Sequence, residues 1–134
     1  MSKKKSLKLQ HLAPPCPPNL SEAARQEWDR VVGELVALER ITPLDLAVLA
    51  AYCVAFAGYF DALTMIGKYG NVIKSPNGLL MQSPYVTEFN KHLDTMLRCA
   101  NELGITPLSR LKFPKKRSED DPWGLGALDL SKLP

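Results

Sequence analysis

The chain has 134 residues and a formal net charge of +3 at pH 7, which fits one domain with tails. Hydrophobic residues make up 46% and charged residues 23%, an average globular composition that argues against a disordered or collagen-like chain. The first twenty residues and residues 111–117 each carry four basic residues and no acidic one, whereas residues 21–110 carry eight basic and ten acidic residues. We therefore expect a mildly acidic body between basic flanks.

Cysteine usage and hydropathy limit the cellular setting. The three cysteines, Cys16, Cys53 and Cys99, are far apart and odd in number, so they predict reduced thiols rather than a disulfide framework. The longest uncharged stretch, residues 46–60, is shorter than the about 20 residues of a membrane-spanning helix. No apolar run follows the N-terminal lysines, so we also expect no secretory signal. The sequence predicts an intracellular protein with no membrane partner.

Helix 1 is predicted from Ser21 to about Arg40. Ser21 can cap the first turn, and Glu22 complements the helix dipole there. The apolar residues recur every three or four positions, at Trp28, Val31, Val32, Leu35, Val36 and Leu38. The opposite side is expected to face water and carries Glu27, Asp29, Arg30, Glu34 and Glu39.

Helix 2 is predicted from Pro43 to about Lys68. Thr42 is the expected cap, Pro43 fits the first helical position, and Asp45 can complete a capping box. Between residues 44 and 60 only Asp45 is charged, and a helix that is apolar nearly all round is normally buried on more than one side. We expect helices 1 and 3 and a neighbouring subunit to cover it; a central core helix within a monomer is the alternative.

A short β-hairpin is predicted after helix 2. Residues 71–74 and 79–82 are the strand candidates, and the SPNG sequence between them supplies proline and glycine for a tight turn. A two-stranded hairpin is marginal in water, so it must lean on the helices or on another subunit.

Helix 3 is predicted from Ser83 and Pro84 to about Leu103, with Gly104 after its end. Its apolar stripe is Tyr85, Phe89, Leu93, Met96, Leu97, Ala100 and Leu103. Thr106 and Pro107 begin a short last helix that runs to about Lys112. The expected fold is mainly α: a bundle of three principal helices with a short β-hairpin between helices 2 and 3 and flexible termini.

The predicted organisation has three parts. Residues 1–20 form a basic, proline-rich arm, residues 21–112 a helical core that also carries oligomerisation, and residues 113–134 a tail that is first basic and then acidic and apolar. Short basic flanks suit a polyanion, because each lysine or arginine that neutralises a phosphate releases a counterion. Solubilising tails are the alternative. The predicted DNA contacts are Lys3, Lys4, Lys5, Lys8, Lys112, Lys115, Lys116 and Arg117.

Catalytic and cofactor motifs are missing from the sequence. His11 and His92 have no cysteine, histidine or carboxylate pair at metal-ligand spacing, and no glycine-rich phosphate loop occurs. The adjacent Asp120 and Asp121 fit solvated charge in an acidic tail better than a metal site. The sequence therefore predicts a non-enzyme without metal or cofactor.

The tail sequence DPWGLGALDL places apolar side chains among acidic residues, which is typical of a segment that orders on binding a partner. The predicted partner-binding residues are Trp123, Leu125, Leu128 and Leu130. The equally weighted alternative is that the tail folds back over helix 1 or helix 3.

Residues 14–112 resemble the small-subunit terminases of tailed phages. The resemblance rests on TPLDLAVLAAYC, the SPNG turn and ELGITPLSRL, in that order and spacing. It implies a mainly helical subunit that binds the packaging-initiation region of viral DNA and assembles into oligomers, often rings. It also implies a large-subunit partner that holds the ATPase motor and the nuclease, and a C-terminal segment that contacts it.

The predicted function is therefore a non-catalytic adaptor for viral genome packaging in the cytoplasm of the bacterial host. Its expected partners are double-stranded viral DNA, the terminase large subunit and further copies of itself. Helices 1 and 2 offer too few basic or amide side chains for base readout, so the flanks are expected to contact the DNA backbone. Sequence preference would then come from DNA shape or from several subunits engaging at once. A protein-only interaction or scaffolding module with solubilising basic tails is the alternative.

Overall fold

The computed structural model describes residues 13–112. It is mainly helical, with three principal helices and a small two-stranded hairpin between the second and third, and this confirms the predicted fold class. In chain order the elements are α1 (Glu22–Ala37), a 3₁₀ turn (Pro43–Asp45), α2 (Leu46–Tyr69), β1 (Val72–Lys74), β2 (Leu80–Gln82), α3 (Pro84–Leu103) and α4 (Pro107–Arg110).

Helix α1 begins as predicted but ends three residues before the predicted Arg40. Ser21 caps its start by accepting a hydrogen bond from the Ala24 amide at 3.3 Å. At the other end Glu39 has a positive φ of 55°, and the Arg40 amide donates to the Leu35 carbonyl at 2.9 Å. These are the features of a Schellman ending. The sequence does not indicate this ending, because a glutamate rather than a glycine occupies the left-handed position.

Two side chains of α1 do not lie where the periodicity predicted. Glu27 was expected on the solvent side, but it is only 4% exposed because Tyr52 of α2 binds it. Leu38 was expected on the buried side, but it is half exposed, since the helix ends before it. The other predicted apolar positions of α1 are buried or half-buried.

Helix α2 is flanked by α1 on one side and by α3 on the other. Its start follows the predicted chemistry, because an Asp45 carboxylate oxygen accepts a hydrogen bond from the Thr42 amide at 2.9 Å. The first turn is 3₁₀ rather than α. The core lies where the three helices meet and contains Ala24, Trp28, Val31, Leu35, Val36, Ile41, Leu49, Tyr52, Cys53, Ala57, Ala100 and Leu103.

By length and composition alone, the helical stretch Pro43–Tyr69 is long and apolar enough to cross a membrane. The prediction from the sequence rested on the uncharged residues 46–60 alone, which are fewer than a membrane-spanning helix needs, so it did not include the full helical length. The core helix of a soluble protein passes the same test. The absence of a membrane partner therefore stays a prediction.

The hairpin forms where the sequence placed it, and each strand begins one residue later than predicted. Val72 pairs with Gln82, Ile73 with Met81 and Lys74 with Leu80. The turn is closed by a hydrogen bond of 2.9 Å from the Gly78 amide to the Ser75 carbonyl. Gly78 has a φ of 80°, which favours glycine there.

Helix α3 also has the predicted bounds, from Pro84 to Leu103, and Gly104 follows it with a φ of 71°. Ser83 caps its start by accepting from the Tyr85 amide. Of its predicted stripe only Leu97 is exposed. Helix α4 ends at Arg110 rather than near Lys112.

Residues 13–20, which the sequence analysis counted with the N-terminal arm, pack against the helices. Pro14 is buried, and Ala13, Cys16 and Leu20 lie against the core. The prolines of this segment therefore belong to an ordered strap.

Candidate functional site

The predicted DNA contacts fall mostly outside the described residues. Only Lys112 is described, and it lies exposed just after α4. Seven predicted DNA contacts lie outside the described residues: Lys3, Lys4, Lys5, Lys8, Lys115, Lys116 and Arg117. The predicted partner-binding residues lie outside them as well: Trp123, Leu125, Leu128 and Leu130. Their roles remain predictions.

Helix α2 exposes apolar side chains on two of its faces. Val54 is 49% exposed and Phe60 is 48% exposed. These residues are six positions apart, which places them roughly 120° apart around the helix at about 100° per residue. Leu44, in the 3₁₀ turn that precedes α2, is 93% exposed. The apolar surface of this region is therefore only partly covered by α1 and α3.

A concavity that is mainly apolar, which we call the hairpin groove, lies between the C-terminal end of α2, the hairpin and the start of α3. Its volume is about 740 Å³. It is lined by Leu63, Ile66, Asn71, Val72, Leu80, Met81, Gln82, Val86, Phe89 and Asn90. None of these side chains is charged. The groove is open because α1 is 16 residues long and α2 is 24, so α1 cannot cover the last turns of α2.

Most of the hairpin groove is formed by a run of the chain without acidic residues; its α3 side also includes Phe89 and Asn90, which adjoin Glu88. Between residues 62 and 87 the only charged side chains are Lys68 and Lys74, and both are exposed. All ten acidic residues of the body lie elsewhere. The hairpin end is therefore a weakly basic, apolar surface on a body that is otherwise acidic.

The hairpin was predicted from the sequence, but the groove beside it was not. The available signal was the acid-free run itself, combined with Leu79 and Leu80, two apolar residues that directly follow the turn. Both leucines are exposed in the structure.

A buried polar network joins α1 to α2. Tyr52 Oη donates a hydrogen bond of 2.9 Å to the Glu27 carboxylate, and Arg30 Nε donates another of 2.8 Å. Burial first, and then the bond to Glu27, raise the pKa of Tyr52 above its ordinary value. The hydrogen bond to Glu27 also raises the pKa of Arg30. The network orients α1 on α2 and leaves no carboxylate free for catalysis at this point.

The described thiols are buried or half-buried, and the described histidine packs against α2. All three cysteines are free, and burial raises the pKa of Cys53 to about 12 and raises the pKa of Cys99. His92 lies over Gly58 of α2, and its Nε2 is 3.7 Å from a Glu88 carboxylate oxygen. Within residues 13–112 no group of three or more histidine, cysteine or acidic side chains could hold a metal ion.

Comparison with known proteins decides the family. The family model for the phage terminase small subunit matches residues 24–120, a span that includes every helix and strand described above apart from the first two residues of α1. The chain belongs to the phage terminase small-subunit family. This confirms the resemblance drawn from the TPLDLAVLAAYC, SPNG and ELGITPLSRL segments. No curated protein and no solved structure matched the chain.

Family membership carries a role at the coarse level. Terminase small subunits take part in phage DNA packaging, act in the host cytoplasm and are generally the non-catalytic subunit. This terminase small subunit therefore belongs to a family with a role in phage DNA packaging.

Proposed function

We propose that this terminase small subunit is a homo-oligomeric DNA-recognition and regulatory adaptor. It binds double-stranded viral DNA through its basic flanks and recruits or stimulates the large ATPase and nuclease subunit through its C-terminal tail. The observation that carries the proposal is the family match across the whole helical body. Expectations for DNA, large subunit and oligomer follow from that membership.

The two exposed faces of α2 support assembly of copies. A subunit of a ring meets its two neighbours through different surfaces, whereas a two-fold dimer uses one surface twice. Val54 and Phe60 provide two apolar surfaces on one helix, and each is about half exposed in the single chain. Burial of these surfaces by neighbours would add hydrophobic stabilisation. We therefore assign the two faces of α2 to contacts with preceding and following copies.

The charge distribution supports DNA contact by the flanks rather than by the helical body. Between residues 46 and 60, α2 carries no basic and no amide side chain, so this part offers nothing to the base edges. The segment 111–117 carries four basic residues, and Lys112 is exposed at its start. Such residues position the DNA backbone and do not read sequence.

Replacing Lys112, Lys115, Lys116 and Arg117 by alanine is expected to weaken binding of duplex DNA equally for all sequences. Each lost phosphate contact should lower the slope of log K against log salt by about one. Fluorescence anisotropy with labelled duplexes over a range of salt concentrations measures this slope.

The matched control is Lys91→Ala with Arg98→Ala, which removes two exposed charges from α3 that pair with Glu88 and Asp94. This variant should keep the wild-type slope. Unchanged affinity of the fourfold variant at low salt would contradict the assignment of DNA contact to residues 112–117. If the wild-type chain does not bind DNA even near about 50 mM salt, the scaffolding alternative is favoured.

A further inference from the structure

We propose that the hairpin groove is the docking site for the acidic and apolar C-terminal segment of the same chain, residues 119–130. The segment would occupy the groove when the large subunit is absent, and the large subunit would have to displace it. Displacement of the segment by the large subunit rests on the proposed function, whereas docking of the segment in the groove does not.

The groove suits an apolar segment with flanking negative charge. Its floor is formed by Leu63, Ile66 and Phe89, and its hairpin wall by Val72 and Leu80. Left open to water, this uncharged concavity of about 740 Å³ exposes apolar area whose burial is favourable. Lys68 and Lys74 are exposed in the same acid-free part of the chain. An occupant should therefore combine large apolar side chains with carboxylates.

The C-terminal segment has this composition. It contains Trp123 and three leucines together with four acidic residues, and it has no basic residue between positions 119 and 130. Apolar side chains can enter the groove while the carboxylates remain near Lys74, the register partner of Leu80 in the groove wall. Exposed ion pairs contribute little each, so burial of Trp123 and the leucines is expected to supply most of the affinity.

The chain is long enough for docking within one subunit. From Phe89 in the groove to Leu103 at the end of α3, the helix rises about 21 Å at 1.5 Å per residue. The ten residues from 113 to 122 span up to roughly 33 Å when extended. Pro114 and Pro122 favour an extended linker. The segment can therefore return along α3 to the hairpin.

Docking would make two uses of the tail mutually exclusive. Trp123 and its neighbouring leucines cannot both fill the groove and bind the large subunit. The small subunit would then present its tail only when a competing partner outweighs the groove, and the affinity for that partner would fall by the docked-to-undocked ratio.

The full-length chain allows a direct test through the fluorescence of Trp123. The chain has two tryptophans, and Trp28 is buried in the core, so acrylamide should reach Trp28 poorly in every folded variant. The difference between wild type and Trp123→Phe isolates the quenching of Trp123. We expect Trp123 to be shielded in wild type. Leu80→Glu should lower the docked-to-undocked ratio by about tenfold, because it places a charge in the groove wall.

Two further variants complete the design. Lys74→Glu leaves the apolar lining intact and should also increase the quenching of Trp123 by acrylamide, though less than Leu80→Glu does, because an exposed ion pair contributes little. Leu44→Glu makes the same change as Leu80→Glu at the opposite end of α2, where Leu44 is 93% exposed, and should leave Trp123 shielded. Circular dichroism checks that each variant keeps its helical content.

The outcomes separate this proposal from the function above. Free quenching of Trp123 in wild type, or shielding that survives both groove variants, would overturn docking even if DNA and the large subunit bind as proposed. If mixing Trp123→Phe with Leu80→Glu chains restored the shielding, the groove would hold a neighbour's tail, which overturns docking within one chain. Shielding together with failure to bind DNA or the large subunit would overturn only the proposed function.

Discussion

Replacing Trp28 by alanine is expected to lower the free energy of unfolding by about 3–5 kcal/mol. Trp28 is 2% exposed and belongs to the core cluster where α1 meets α2. Removal of the indole takes away its transfer free energy and leaves a cavity that the surrounding helices fill only in part. Since a domain of this size is stable by about 5–15 kcal/mol, the variant should be close to unfolding at moderate temperature.

Urea denaturation followed by far-ultraviolet circular dichroism measures this loss without relying on tryptophan fluorescence. Tyr69→Ala is the matched control, because Tyr69 is an aromatic residue at the end of α2 that is half exposed. It should cost about 1 kcal/mol or less. Equal losses for the two variants would show that the core is not centred on Trp28.

Breaking the Glu27–Tyr52 hydrogen bond is the second large effect that we expect. Glu27→Leu leaves the buried hydroxyl of Tyr52 without its acceptor, and Tyr52→Phe removes one of the two side chains, the other being Arg30, that donate to the buried Glu27 carboxylate. Each should lower the free energy of unfolding by about 1–3 kcal/mol. The double variant should lose less than the sum of the two, because neither partner is then left unsatisfied. Additive losses in urea denaturation would mean that the two groups are not coupled.

The same pair has a pH signature. The pKa of Tyr52 is raised in the folded chain by burial and by Glu27, so its contribution to stability is fully present below its unfolded value of about 10. The contribution is lost as the pH rises through the folded value. Wild type should therefore lose stability above about pH 10 more steeply than Tyr52→Phe. Parallel curves for the two proteins would contradict the assigned bond.

Local sequence signals were sufficient to predict most of the fold. The starts at Ser21, Thr42 with Pro43, and Ser83 with Pro84 each combine a capping side chain with a favourable first turn, and the structure has helical turns at all three. The hairpin followed from the SPNG turn. The end of α1 was missed because Glu39 adopts the left-handed conformation, which side-chain chemistry alone did not indicate.

The candidate surfaces depend on relations between distant residues, so local sequence patterns did not predict them. Glu27 is buried only because Tyr52, 25 positions later, lies opposite it. The hairpin groove is open because α1 is too short to cover the end of α2, and its lining comes from three separate elements. The predicted flank residues other than Lys112 lie outside the described residues, so their roles stay predictions.

The native mass of the full-length protein, measured by light scattering over a range of concentrations, tests the proposed adaptor most directly. We predict a mass of several times 14.9 kDa that falls in Val54→Asp and in Phe60→Asp. The control is Leu97→Asp in α3, because Leu97 has the same exposed fraction as Phe60, 48%. This variant should keep the wild-type mass. A mass of one chain at every concentration, for wild type and variants alike, would contradict assembly through the two faces of α2.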